Sequence, residues 1–298
     1  MKIKSTFGLP ASLIAIFVWG ISFVSTKVVL RELPPVTIAF FRQFIALVPL
    51  LILMATNKEN LKLNKGELFI MVLSSFFGIV LYFYFENKGL ELTTASNASI
   101  LIAALPMFAL ITESIIQRKR INLSSLISIF ISIAGVYFIV FEGKAPDFAS
   151  DSFIGCLLVF GAIISWIIYT FLSDGLGKNY SSLKMTTLQT IISIPLFIPF
   201  ILGEVDQWKV PSVPAVLNLI FLGVFCSALA YVFFLFGLKT LGPVVISALL
   251  NLIPVVTIVA DSVLLKEMLS IYQAIGALLI LGSLTYLSVS KSKENAPG

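Results

Sequence analysis

Arg42 and Glu86 are the two ionisable side chains whose surroundings suggest chemistry. Arg42 shares a helical face with Pro35, Ala39, Ala46 and Pro49, all compact, so a guanidinium has room there and its planar fork suits a carboxylate. That carboxylate belongs either to an acid of the protein, which would fix the bundle, or to a ligand. Glu86 follows Tyr82 by one turn in the run LYFYFEN, residues 81–87, on a face with Ser75 and Gly78. A carboxylate among aromatic rings can hold an organic cation by charge and cation–π attraction, or it can balance Lys27 or Arg42. Taken together, one fixed cation and one fixed anion would orient a zwitterion.

Further polar groups surround this pair in the pattern. Trp166, Tyr169, Thr170 and Ser173 follow one another at helical spacing, and Tyr231 lies in a later apolar run. With Trp19 they make either a packed aromatic stripe or the wall of one cavity. Asn251 sits one turn before Pro254 and is an unmatched polar group where specificity would be expected. Ser99, Ile102, Pro106, Ala109 and Glu113 share one face, and Ser247, Leu250, Pro254, Thr257 and Asp261 share another of the same design. Pro106 and Pro254 would each leave the carbonyl four residues earlier without its helical donor, so the Ile102 and Leu250 carbonyls would face water or ligand. Glu113 and Asp261, with Lys27, are candidates for gating or proton coupling; alternatively the two acids end their helices and pair with Arg118 and Lys266. Lys27 lies seven residues after Gly20 on one face, where it either takes part in the site or extends to the outer interface.

All these groups must be held by an unusual chain. Of its residues 58% are hydrophobic and 12% charged, and its mean hydropathy is +1.04, a composition that belongs in a bilayer. A charge at the centre of a membrane helix costs about 2.5–3.5 kcal/mol, so each one needs a partner or a wet cavity. Ten windows of about 20 apolar residues, the length that crosses the hydrocarbon, run near 9–30, 36–55, 67–87, 95–116, 124–141, 153–173, 182–202, 214–236, 243–264 and 271–289. None alternates as barrel strands do. The expected fold is therefore an all-α integral membrane protein of ten transmembrane helices. The first window follows Lys2 and Lys4 but is too long for a signal peptide and lacks a small-residue cleavage site, so it reads as a permanent helix.

Charge sets the expected orientation. With a cytoplasmic N-terminus, thirteen lysines and arginines fall in inside segments and five, Arg31, Lys88, Lys144, Lys209 and Lys266, fall outside. By the positive-inside rule both termini face the cytoplasm of an inner, multi-pass membrane protein. The net charge of +5 has this source and does not imply nucleic acid. Cys156 and Cys226 lie inside apolar runs as buried thiols, and histidine is absent, so neither a disulfide framework nor a metal site is expected. No GxxxxGK loop occurs to bind a nucleotide, and no nucleophile with a base suggests an enzyme. No cofactor is implied.

The two halves, 1–145 and 146–298, resemble each other. A shift of 148 lays GLELTTASNASILIAALP (89–106) on GLKTLGPVVISALLNLIP (237–254), and a shift of 147 lays Trp19 on Trp166 and Arg42 on Gln189. Five helices per repeat is odd, so the second repeat is inverted relative to the first. Ser124, Ser128 and Ser132 in the fifth window and Gly276 and Gly282 in the tenth form small-residue faces for packing helices or protomers, which leaves a homodimer open.

WGISFVSTK (19–27), the LPP of 33–35, Arg42, and then GLKTLGPVVISALLNLIPVV, Lys266-Glu267 and IGALLILG (275–282) resemble EamA-like members of the drug/metabolite transporter superfamily. The second half keeps Glu267 where the first carries Arg118-Lys119. The resemblance implies two inverted five-helix repeats around a substrate cavity and movement of small metabolites, often outward. The first expectation is thus a secondary transporter of an amino acid or similar zwitterion, working by alternating access. A transporter of an organic cation held by Glu86 and aromatics is the second, and a non-transporting membrane subunit or scaffold is a third of another class.

Overall fold

In an apolar solvent every backbone N–H and C=O must find its partner within the chain, and long apolar runs do this by becoming helices. A computed structural model describes residues 7–105, 107–108, 123–143, 145, 147–242, 245–246 and 249–294, with 284 and 287–294 as backbone only. Among the described residues the main helical stretches are, in order, α1 (Gly8–Leu30), α2 (Pro35–Thr56), α3 (Lys65–Leu92), α4 (Ala95–Ile102), α5 (Leu123–Phe141), α6 (Asp151–Leu176), α7 (Ser182–Ile201), α8 (Val213–Leu241), α9 (Leu250–Leu264) and α10 (Ile271–Glu294), with a short 3₁₀ turn at Val205–Gln207. Seven of them, α1 to α3 and α5 to α8, are long and apolar enough to cross a membrane among the described residues. The fourth window lies partly outside the described residues, and α9 and the apolar part of α10 are shorter. Starts are marked chemically: Pro34 and Pro35 open α2, while Thr94, Ser150, Ser181 and Ser212 each accept the amide three residues on to cap α4, α6, α7 and α8.

Each main packing pair joins an element of the first half to one of the second. Helix α5 lies on α10, α3 on α6, α1 on α8 and α9, and α2 on α7 and α8. Small residues set these distances. A Cβ on Gly20 would fall 2.5 Å from Val256, and the close approach lets the Thr257 hydroxyl donate to the Gly20 carbonyl at 2.8 Å. The small-residue faces of the fifth and tenth windows meet as an internal α5–α10 seam, with Gly135 against Gly276 and the Ser132 and Ser283 hydroxyls 2.7 Å apart. Gly282 faces open space.

Two π-helical turns interrupt the long helices, Phe76–Leu81 in α3 and Leu222–Leu229 in α8. They occupy matching places, since 76–81 shifted by 148 is 224–229. A π turn re-aims side chains and displaces carbonyls from their usual partners, and it often marks a functional site.

Hydrogen bonds between the halves close both ends of the bundle. At one end Glu204, after α7, accepts the Val36 and Thr37 amides that open α2, and Glu32 accepts the amide and hydroxyl of Ser212. At the other end Glu67 accepts from Asn179 and from the Tyr180 hydroxyl, and Glu59 accepts from Ser181.

Candidate functional site

Arg42 is only 1% exposed, held on α2 between the small buried Ala39 and Ala46. Its Nε donates to the Ser227 hydroxyl in the π turn of α8 at 2.7 Å, and its guanidinium carbon lies 4.0 Å from the centre of the Phe83 ring. The other edge of the fork has no hydrogen-bond partner among the described residues. Glu86, 5% exposed on α3, accepts the Tyr82 hydroxyl one turn back at 2.8 Å. Arg42 and Glu86 form no ion pair with each other: among the described residues the pair within 4.0 Å is Lys88–Glu204, at 3.9 Å.

Both side chains line one cavity of about 30 Å³, room for roughly two waters. Its walls are aromatic: Trp19, Tyr82, Phe83, Trp166 and Tyr231. Trp19 and Trp166, brought in by α1 and α6, meet edge to face with centroids 5.4 Å apart, and Tyr82 lies 4.9 Å from Trp166. Four of the apolar lining residues form pairs related by the shift of 148, Ile102 with Leu250 and Leu105 with Ile253, and Phe23 and Ile163 complete the apolar wall. Six residues singled out by type and spacing, Trp19, Arg42, Tyr82, Glu86, Trp166 and Tyr231, therefore share one cavity.

Other candidates lie elsewhere. Asn251 is absent from the lining; it sits in a 3₁₀ turn, its Oδ1 buried without a partner. Pro254 opens the helix Ile253–Leu264 and does not kink a continuous one, so the Leu250 carbonyl is not left free: the Ile253 amide takes it in the preceding 3₁₀ turn. Asp261 is buried and accepts the Ser96 amide and hydroxyl, at 3.2 and 2.6 Å, and makes no ion pair with Lys266. Lys27 is half-buried in the last turn of α1, within electrostatic reach of Asp261, Glu91 and Glu267. Pro106, Glu113 and Arg118 lie outside the described residues.

The two residues that touch the Arg42 guanidinium escaped sequence reasoning. Ser227 is one small residue among many in α8, and only the fold brings it to Arg42. Phe83 had a signal, since it is the residue that a shift of 148 lays on Tyr231.

The two halves also match known proteins. Residues 6–141 and 153–289 each match the EamA-like transporter family model. The chain belongs to the EamA-like transporter family. Full-length relatives agree: an uncharacterized transporter of Archaeoglobus fulgidus is 28% identical over 286 residues, covering 94% of this chain and 96% of its own. A second from that organism is 30% identical, covering 88% and 92%. The transporter YetK of Bacillus subtilis, also uncharacterized, is 26% identical, covering 98% and 90%. A crystal structure aligns with 95% of this chain and 98% of its own at a TM-score of 0.68 and 17% identity, which shows a shared fold. This EamA-like chain is thus a multi-pass membrane transporter, and the cavity of Arg42 and Glu86 lies where elements from both matched stretches meet.

Proposed function

We propose that this EamA-like protein is a secondary transporter of a small zwitterion, an amino acid or a close relative, and that it works by alternating access between two inverted five-helix repeats. One observation carries the reading: a buried guanidinium and a buried carboxyl group face the same cavity without pairing with each other. Burial of separated charges is costly, and a ligand with one carboxylate and one ammonium offsets that cost at both ends. The ammonium would lie by Glu86 and Tyr82, the carboxylate by Arg42. At about 30 Å³ the cavity is far below the roughly 300 Å³ of a typical ligand pocket, so its walls must part to admit cargo. The hydrogen bonds that join the halves at each end are the contacts such a movement would break in turn.

Lysine and arginine distribution supports an inner membrane with both termini cytoplasmic, and family resemblance supports export. A wider cavity of about 320 Å³, lined by Asp174, Lys178, Tyr180 and Lys239 among others, opens at the end assigned to the cytoplasm and suits loading from that side. The contact of Tyr82 with both Trp166 and Glu86 favours a second reading, an organic cation held by Glu86 and the rings.

The purified protein, screened by thermal shift against amino acids, organic cations and organic anions and then assayed for flux in liposomes, separates these readings. A zwitterion that stabilises the wild type and loses its effect in both Arg42→Ala and Glu86→Gln supports the proposal, because a ligand of the folded state raises its stability. A cation whose effect depends on Glu86 alone supports the second reading. Failure of every compound to cross liposomes would leave a scaffold.

A further inference from the structure

The two indoles of the cavity are not bonded alike. The Trp19 N–H donates to the Cys226 carbonyl at 3.0 Å, an acceptor made available in the π turn of α8. Trp166 is the counterpart of Trp19 by the shift of 147, and the counterpart of Cys226 by the shift of 148 is Gly78, in the π turn of α3. Symmetry would therefore give the Trp166 N–H to the Gly78 carbonyl. That carbonyl instead accepts the Tyr231 hydroxyl, at 2.9 Å, and not the indole. In the other half the residue matching Tyr231 is Phe83, which has no hydroxyl to compete for Cys226. The result is a Trp166 indole that is 4% exposed and lines the cavity, with its N–H buried and partnerless.

We infer that the Trp166 indole N–H is the donor that takes an acceptor oxygen of the transported molecule, and that Tyr231 is a positioning residue that keeps this donor free by occupying Gly78. The inference rests on the transport reading above and deepens it. A buried donor without an acceptor is a standing cost, and a phenylalanine at 166 would pack without it. A bound carboxylate would remove the cost, with one oxygen on Trp166 and the other toward Arg42, while the ammonium meets Glu86. Substrate selection then lies where the repeats differ, in the Tyr231 hydroxyl and in the charges of Arg42 and Glu86, and the aromatic walls they share supply shape. A molecule lacking an acceptor oxygen at this place would leave the N–H unmet and bind more weakly.

The chain has three tryptophans, so protein labelled with ¹⁵N-tryptophan in lipid nanodiscs gives three indole N–H resonances, and Trp166→Phe identifies the one that matters. Without ligand, the Trp166 proton should resonate upfield of those of Trp19 and Trp208, which both have acceptors. In Tyr231→Phe it should move downfield as the indole takes the Gly78 carbonyl. L-alanine and L-leucine should move the wild-type resonance downfield, while their decarboxylated counterparts, ethylamine and isopentylamine, leave it in place. Liposome uptake of the same amino acids by Tyr231→Phe should show a half-saturating concentration raised roughly tenfold with the maximal rate retained, the size expected for one hydrogen bond to a charged group. A Trp166 resonance that is unmoved by Tyr231→Phe, or that is free without ligand but unmoved by either amino acid, overturns the inference. The first of these results needs no ligand and leaves the transport reading standing, whereas absence of wild-type flux refutes that reading whatever the resonances do.

Discussion

Glu204 caps a helix from the other half of the chain: its carboxylate accepts the Thr37 amide at 2.8 Å and the Thr37 hydroxyl at 3.0 Å, and its second oxygen accepts the Val36 amide at 3.2 Å. The first amides of α2 have no partners within their own helix, so this buried carboxylate meets both their hydrogen bonds and the positive end of the helix dipole. Trp208 completes the lock by donating to the Thr37 hydroxyl at 2.9 Å. Glu204→Ala should lower stability by about 1–2 kcal/mol, the range for a lost cap. Hydrogen exchange should rise at the Val36, Thr37 and Ile38 amides with no change at Glu67 and Tyr180 at the opposite end. Equal exchange at both ends would mean that the cap is not a local fastener.

Gly78 is constrained from the other side of its backbone. A Cβ there would fall 2.1, 2.4 and 2.7 Å from three atoms of the Tyr169 ring, which is fully buried and cannot swing away. Gly78→Ala should therefore cost about 1–3 kcal/mol in melting experiments, as overpacking does. Gly175 is the control, because nothing lies within 4 Å of a Cβ there. Gly175→Ala, near the end of α6, should be neutral or stabilising by up to about 1 kcal/mol from helix propensity. Equal melting temperatures for the two variants would contradict the packing described around Tyr169.

The apolar windows made the spanning helices legible, because length and hydropathy are summed over many residues and single exceptions do not matter. The cavity residues were legible for a related reason: Arg42, Glu86 and the two indoles are costly or bulky in a bilayer, and such groups gather. What a proline does was not, since Pro254 looks the same in sequence whether it kinks a helix or starts one, and here the 3₁₀ turn before it decides. The partner of Asp261 was equally hidden, because Lys266 is near in sequence while Ser96 is near in space. The π turns carry no signature of residue type; Gly78 and Cys226 gain their meaning only from the rings and donors packed against them.

Glu32 gives a pH signal outside the spanning segments. The Ser212 hydroxyl and then the Ser212 amide hold its carboxyl below the usual glutamate value of about 4.3. A group whose value is depressed in the folded state contributes stability above the unfolded value and loses it as pH falls through the folded one. Glu32 should therefore remain ionised in solutions acidic enough to protonate an ordinary glutamate, and the contact with Ser212 should loosen only below that range. Ser212→Ala removes the hydroxyl and should move the Glu32 titration upward, as read by ¹³C carboxyl shifts. An unchanged titration would show that the Ser212 bonds do not set the value.

Arg42 is oriented by Ser227, and the two can be tested separately. The Nε–Ser227 bond fixes the plane of the guanidinium over Phe83 and leaves the opposite edge toward the cavity. Lysine would keep the charge but not the planar fork, so Arg42→Lys should fold and yet transport poorly, with a half-saturating concentration raised tenfold or more if a carboxylate is bound by two parallel bonds, a loss of about 1.5–3 kcal/mol. Ser227→Ala keeps the fork and frees its plane, so it should raise that concentration by a smaller factor, roughly threefold, with little change in melting temperature. Combining the two should give less than the product of the separate effects, because a lysine has no Nε–H fork for Ser227 to orient. Strictly multiplicative effects in liposome flux would mean that Ser227 acts on the cargo by some route other than Arg42.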